Sequence, residues 1–251
     1  MPLSGAEESP SYRLYYSPDS ANLVIRMVLE EIGVGYRDVR VDRAKGGLDD
    51  PQFRALNPQG LLPVLVDETR GVTLFETGAI LLHLSERHDS TRVSQPAQRG
   101  PFLAWLFFLS NTLHADLRVR FYTWRYAEGE AEIRHLRDKL TRRIQQHLQL
   151  LEELAGHGQG DGLLPSGPSV LDPYLACLIR WMQLYPLDSP LRDIPWNELP
   201  NLDRLMTHLK GKPAIRRAAS AEGIEGRLFL APDYPLGDPH QLVGHAPDRA
   251  D

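Results

Sequence analysis

Leu62-Pro63 and Glu76-Thr77 are the residues of this 251-residue chain whose types and spacing point first to chemistry. Pro63 stands at the mouth of the apolar run Val64-Leu65-Val66-Asp67, which otherwise reads as a buried strand. Proline has no N–H for a ladder, so it is confined to a strand's first residue or a turn, and a cis bond before it is a feature kept for a reason. A cis Leu62–Pro63 peptide turns the Leu62 N–H and C=O outward, where an extended peptide can pair with them as an added strand. The segment Phe75-Glu76-Thr77-Gly78-Ala79-Ile80-Leu81-Leu82 then places an acid and a hydroxyl at the start of an apolar helix. The first turn of a helix has free N–H groups and a partial positive charge that can take a carboxylate, and Glu76 beside it can hold an ammonium. An α-amino acid head group needs both. Taken singly, the proline is a turn residue and Glu-Thr a helix cap; their order and spacing together carry the signal.

The strings NPQGLLPVL (57–65) and FETGAI (75–80) resemble the glutathione site of the glutathione S-transferase family, whose pattern runs roughly N-P-x-G-x-[VI]-P-x-L and then E-S-x-A-I. The resemblance implies a thioredoxin-like α/β domain followed by an α-helical bundle, with Leu62, Pro63, Glu76 and Thr77 binding glutathione. Thr77 keeps the hydroxyl of the commoner Ser, and Leu61 stands where many members carry Lys or Gln. Glutathione must be held as its thiolate, the nucleophilic form. The run Tyr15-Tyr16-Ser17-Pro18-Asp19-Ser20-Ala21-Asn22 is similar to Y-Y-x-P-G-S-A of serine-type members, which puts Ser20 on the thiol-activating serine. Tyr16, Ser17 and Asn22 are the alternatives, and Ser20 is also placed to be the N-cap of the first helix. Ala21 falls where beta-class bacterial members have a cysteine, so chemistry through a protein mixed disulfide is not expected. The run from Ala104 to His114 resembles W-L-x-F-x-x-x-E-L-H of bacterial members, with Thr112 in place of Glu. By that resemblance Trp105, Phe108, His114, Arg118, Phe121 and Tyr122 form an apolar pocket in which His114 and Tyr122 meet the second substrate.

The implied function is that of a cytoplasmic homodimeric detoxification enzyme that transfers the thiolate of reduced glutathione to a hydrophobic electrophile or a peroxide. Two other functions fit the same residues: a non-catalytic binding or regulatory module on this fold, and a glutathione-dependent disulfide reductase that uses no protein cysteine.

The elements that must position these residues read as follows. Tyr12 to Tyr16 is a strand, Ala21 to Ile32 a helix stopped by Gly33, and Tyr36 to Val41 a second strand. Asp50 to Leu56 is a short helix, Val64 to Asp67 and Val72 to Phe75 are strands, and Thr77 to His88 is a closing helix. This order predicts an α/β unit with a small mixed sheet over residues 12–90. Beyond Asp89 strand signals vanish. Phe102 to Leu117 and Glu130 to Ala155 read as bundle helices, the second with apolar residues at steps of three and four, and the helical unit is expected over 98–230. Ser169 and Asp172 have the spacing of a capping box and are assigned to structure. Residues 156–162 read as a flexible loop, residues 1–11 as a disordered lead-in, and the proline-rich segment 231–251 as an extended tail.

Composition narrows the function further. A net charge of −5 with scattered Lys and Arg announces no face for nucleic acid. No apolar run approaches the roughly 20 residues of a membrane span, and the N-terminal residues lack the apolar core of a secretory signal. The single cysteine, Cys177, excludes disulfide frameworks within the chain, suits a reducing compartment, and is expected to pack as a small hydrophobe. Histidine pairs five apart miss metal spacing, so no metal is expected.

Overall fold

The computed structural model describes residues 11–88, 96–158, 161–187 and 189–235. The lead-in over residues 1–10, the tail beyond residue 235 and residues 159–160 of the glycine-rich loop lie outside them. Four strands, β1 (Tyr12–Tyr16), β2 (Tyr36–Arg40), β3 (Val64–Asp67) and β4 (Val72–Phe75), form one sheet in the order β2-β1-β3-β4. β1 runs parallel to β2 and antiparallel to β3, and β4 is antiparallel to β3. The sheet is therefore mixed, as expected. Helices α1 (Asn22–Ile32), α2 (Pro51–Leu56) and α3 (Thr77–His88) complete this thioredoxin-like region. Gly33 ends α1 in the left-handed conformation, its N–H bonding to Leu29 O, and Asp50 caps α2 by accepting the Gln52 N–H at 2.7 Å.

Beyond this region the described residues are largely helical: α4 (Pro96–Phe108), a π-helical turn (Leu109–Leu113), α5 (His114–Phe121), α6 (Gly129–His157), α7 (Leu171–Leu184), α8 (Pro200–Gly211) and α9 (Pro213–Ala221). The expected helix over 102–117 is thus longer at both ends and widened in its middle, because the π turn accommodates an extra residue that a strict 3.6-residue period does not register. Ser169 and Asp172 form the capping box. The Ser169 Oγ accepts the Leu171 N–H, and the Asp172 carboxylate accepts the N–H groups of Ser169 (2.6 Å) and Leu163 (2.7 Å). Residues 231–234 are not a free tail: the Asp233 carbonyl accepts from Arg180, and the Tyr234 hydroxyl donates to Leu184 O. No helix among the described residues is long and apolar enough to cross a membrane.

One apolar core runs through both regions. Leu23, Met27 and Leu14 of the sheet region belong to the same buried cluster as Leu175, Leu178 and Ile215 of the helices, and α1 packs directly on α7 and α9. Cys177 sits in this core, its Sγ 3.7 Å from Met27 Sδ, and burial pushes its thiol well above the ordinary range. That packing fixes the faces that meet over the β1–α1 loop.

Candidate functional site

A cleft of about 310 Å³ lies between the two regions. On its sheet side are the β1–α1 loop, the loop before β3 and the start of α3; on its helical side are the π turn, α5 and α7.

The loop before β3 is shaped by the motif's own residues. Asn57 is buried; its side chain donates to Leu61 O at 2.8 Å and accepts the Gln59 N–H at 3.1 Å. Gly60 has φ +64°, and a Cβ there would lie 2.8 Å from Leu48 O, so this position requires glycine. The chain then passes through a cis Leu62–Pro63 peptide into β3, and both residues line the cleft. Glu76 follows β4 with φ +71° and starts α3, its carbonyl accepting the Ile80 N–H. Its exposed carboxylate accepts from Gln59 Nε2 at 3.0 Å, while Thr77 is buried at the first position of α3. At Gly78 this helix start lies against the π turn, where a Cβ would stand at ordinary contact distance, 3.4 Å, from Ser110.

Of the residues considered for thiol activation, only Ser20 lines the cleft; Tyr16, Ser17 and Asn22 do not. Ser17 and Asn22 are buried, and the Tyr16 ring lies under the Arg26 guanidinium at 4.5 Å. Ser20 is not the helix cap. Ala21 occupies that position with no side-chain bond to the helix, and the Ser20 hydroxyl instead donates to Asn22 Oδ1 at 2.9 Å. The same oxygen accepts the Ser17 N–H, while Asn22 Nδ2 donates to Glu222.

Sequence reasoning missed what holds this loop from behind. Asp19, at φ +51°, turns its carboxylate away from solvent into a set of donors on and after α7. Arg180 binds it through two nitrogens at 2.8 and 3.0 Å, Trp181 Nε1 at 3.1 Å and the Tyr185 hydroxyl at 3.3 Å. The Asp19 N–H donates to Glu222 just beyond α9, which also pairs with the buried Arg26 at 2.9 Å. Burial pushes the Glu222 carboxyl upward, and Arg26 opposes that shift. Partners separated by 161 residues leave no local pattern to find.

On the helical side, His114 and Tyr122 line the cleft together with Arg118 and Phe121. Trp105 and Phe108 do not. Trp105 packs edge-on against Phe108 at 5.2 Å, and Phe108 against His147 of α6 at 5.3 Å, so these rings lie on a face of α4 turned away from the cleft. The π turn between them breaks the 3.6-residue repeat, and a helix spreads successive side chains around its axis, which is why an aromatic string did not make one wall. Tyr174, Trp181 and Tyr185, from α7 and its end, supply the rings instead. His114 Nδ1 meets the Tyr174 hydroxyl at 2.9 Å, and burial, then Arg118, lowers its imidazole to about 4, so it is neutral at pH 7. Among the described residues no group of His, Cys, Asp and Glu is arranged to hold a metal ion.

Known proteins are similar to this chain in sequence and in fold. Residues 10–86 match the family model "Glutathione S-transferase, N-terminal domain". The chain is 35% identical over 100 residues to the disulfide-bond oxidoreductase YfcG of Escherichia coli (strain K12), a match spanning 38% of this chain and 46% of that protein, less than half its length. It is 23% identical to the glutathione S-transferase GstA of Escherichia coli O157:H7 over 85% of this chain and all of that protein. Its fold superposes on a glutathione transferase homologue from sulfitobacter, solved with bound glutathione, with a TM-score of 0.71 at 20% identity over 85% of this chain and 99% of the other. The matched N-terminal region is thus a glutathione S-transferase N-terminal domain, and the chain as a whole shares the fold of solved glutathione transferases.

Proposed function

We propose that this protein binds reduced glutathione in the cleft and transfers its thiolate to an electrophilic carbon or a peroxide. The observation that carries this is the placing of Ser20, Leu62, Pro63, Glu76 and Thr77 around one cavity, opposite a wall of rings. The γ-glutamyl carboxylate meets Thr77 and the start of α3, and its ammonium meets Glu76. The cysteinyl backbone pairs with Leu62 as an added strand, which brings the sulfur toward Ser20. The Ser20 hydroxyl turns from Asn22 Oδ1 to donate to the thiolate, lowering the thiol pKa. On an electrophilic carbon a C–S bond forms, the bond to the leaving group breaks, and the leaving group departs with the electron pair; on a peroxide an S–O bond forms, the O–O bond breaks and the alkoxide leaves, and a second glutathione then displaces water from the sulfenic acid to give glutathione disulfide. Holding both reactants in one cleft supplies most of the rate. His114 and Tyr122 contact the second substrate, and the neutral His114 adds no repulsion to its approach.

Cys177 is buried and Ala21 replaces a cysteine, so the protein offers no thiol of its own to the cleft. Together with the similarity to a disulfide-bond oxidoreductase, this favours a second activity in which the bound thiolate attacks a mixed disulfide. One S–S bond forms to give glutathione disulfide, another breaks, and the second thiolate leaves. We further infer two domains, residues 12–90 and 98–230, in a cytoplasmic homodimer, which sedimentation of the purified chain tests.

Calorimetric titration with reduced glutathione, repeated on Glu76→Ala, is the first test. Saturable binding that is lost in the variant supports the site, and rates with an aryl halide and with a glutathione mixed disulfide then separate the two activities. Binding without either rate points to a regulatory module, and no heat from the wild type rejects the glutathione reading.

A further inference from the structure

We propose that the second substrate is an anion whose carboxylate is received by the Arg118 guanidinium while its apolar body lies on the rings of Phe121, Tyr122 and Trp181. This rests on the glutathione reading above and adds the chemical class of the partner substrate.

The charged side chains that line the cleft are Asp19, Arg43, Glu76 and Arg118. Asp19 is already neutralised by Arg180. Glu76 and Arg43 belong to the sheet side, where the glutathione reading puts the γ-glutamyl head group. Arg118 belongs to the helical side, on α5 one turn after His114, and every other residue contributed by that side is neutral. Its guanidinium has no hydrogen bond or ion pair among the described residues. Arg120, two positions on, shows what a structural arginine of this helix looks like: it is buried and donates to Thr141, Tyr185 O and Ser189. Arg118 faces the cavity with those bonds unmade. A guanidinium beside aromatic rings is suited to a planar carboxylate, which it can bind through two parallel N–H donors. The field of Arg118 already reaches the cavity wall, since it is one of the two influences that lower the His114 imidazole.

Two sources supply this ligand chemistry: an organic acid with an electrophilic carbon, or the peptide carboxylates of a second glutathione within a disulfide. Calorimetry with S-benzylglutathione, S-(4-carboxybenzyl)glutathione and glutathione disulfide separates them, using the wild type, Arg118→Gln and Arg118→Lys. The wild type is expected to prefer the carboxybenzyl ligand to the benzyl ligand by about fivefold or more at low salt, the preference shrinking as salt screens the pair. In Arg118→Gln that preference falls to about one, and Arg118→Lys retains part of it. Selective loss of glutathione disulfide affinity in Arg118→Gln, with no carboxybenzyl preference in the wild type, identifies a peptide carboxylate as the anion; the converse identifies an organic acid. If S-benzylglutathione binds, but no carboxylate preference exists and Arg118→Gln leaves the disulfide affinity unchanged, the anion proposal is overturned and the glutathione site stands. Failure of S-benzylglutathione to bind the wild type overturns both. Near-ultraviolet circular dichroism of each variant checks that the cleft is folded.

Discussion

A serine hydroxyl has one proton, and Ser20 gives it to Asn22 Oδ1. Stabilising a thiolate requires that proton to swing toward sulfur, and Asn22 tolerates the change because its oxygen keeps the Ser17 N–H. Ser20→Ala is therefore expected to raise the pKa of bound glutathione, read from thiolate absorbance across pH. It should lower kcat/KM about ten- to a hundredfold, in line with about 1.5–3 kcal/mol for a hydrogen bond to a charged group. Tyr16→Phe, outside the cleft, should leave the titration in place; the reverse pattern assigns the donor to Tyr16. His114 makes a second prediction. Its folded pKa, about 4, lies below its ordinary 6.5, so between those values the unfolded chain takes up a proton that the folded protein refuses. The stability tied to this residue is complete above about pH 6.5 and is lost as pH falls toward 4. His114→Gln is expected to flatten the acid limb of a plot of denaturation midpoint against pH, and an unchanged limb places the acid sensitivity elsewhere.

At the scale of elements, α7 acts as a clamp on the β1–α1 loop. The Asp19 carboxylate and the Arg180 guanidinium are both almost fully buried, so removing one leaves the other charged without compensation. Arg180→Met is expected to cost about 3–5 kcal/mol in denaturant unfolding, and Asp19→Asn combined with Arg180→Met less than the sum of the two single changes. Strict additivity would mean that the pair does not act as a unit. Little of this clamp was legible in the sequence, although much of what it faces was. The strands and α1 to α3 follow from local alternation and from Gly33, Asp50 and Pro63, because turns, caps and strand starts are decided within a few residues. Leu62, Glu76 and Thr77 stand out for the same local reason, whereas Ser20 is singled out only by resemblance and the cap position expected of it is taken by Ala21. Asp19, Arg180, Tyr185 and Glu222 meet only through the tertiary fold, and each read alone is an ordinary polar residue. Trp105 and Phe108 depart from the expected pocket for a related reason: the aromatic residues are contiguous in sequence, but a helix distributes them around its axis.

For the whole molecule, one core and a set of cross-region ion pairs tie the sheet to the bundle. Glu222–Arg26, Asp19–Arg180, Glu30–Arg217 and Glu31–Lys212 all join residues of the sheet region to residues of the helices. The exposed pairs contribute little singly, and the shared apolar cluster carries the coupling. A structure bound together in this way should unfold as one unit although its two halves have different architectures. The chain provides its own reporters, since Trp105, Trp124, Trp181 and Trp196 all lie in the helical region and far-ultraviolet circular dichroism reads both regions. The two signals are expected to give coincident transitions in urea, and a fluorescence transition displaced from the dichroism one would show that the sheet region unfolds separately. Reduced glutathione is proposed to bind the sheet side of the cleft, and because the regions unfold as one unit it should move the two transitions together, by about 2.7 kcal/mol at a hundred times its Kd. A ligand shift confined to one signal would mean that the sheet region, which carries Ser20, Leu62, Glu76 and Thr77, unfolds apart from the helices.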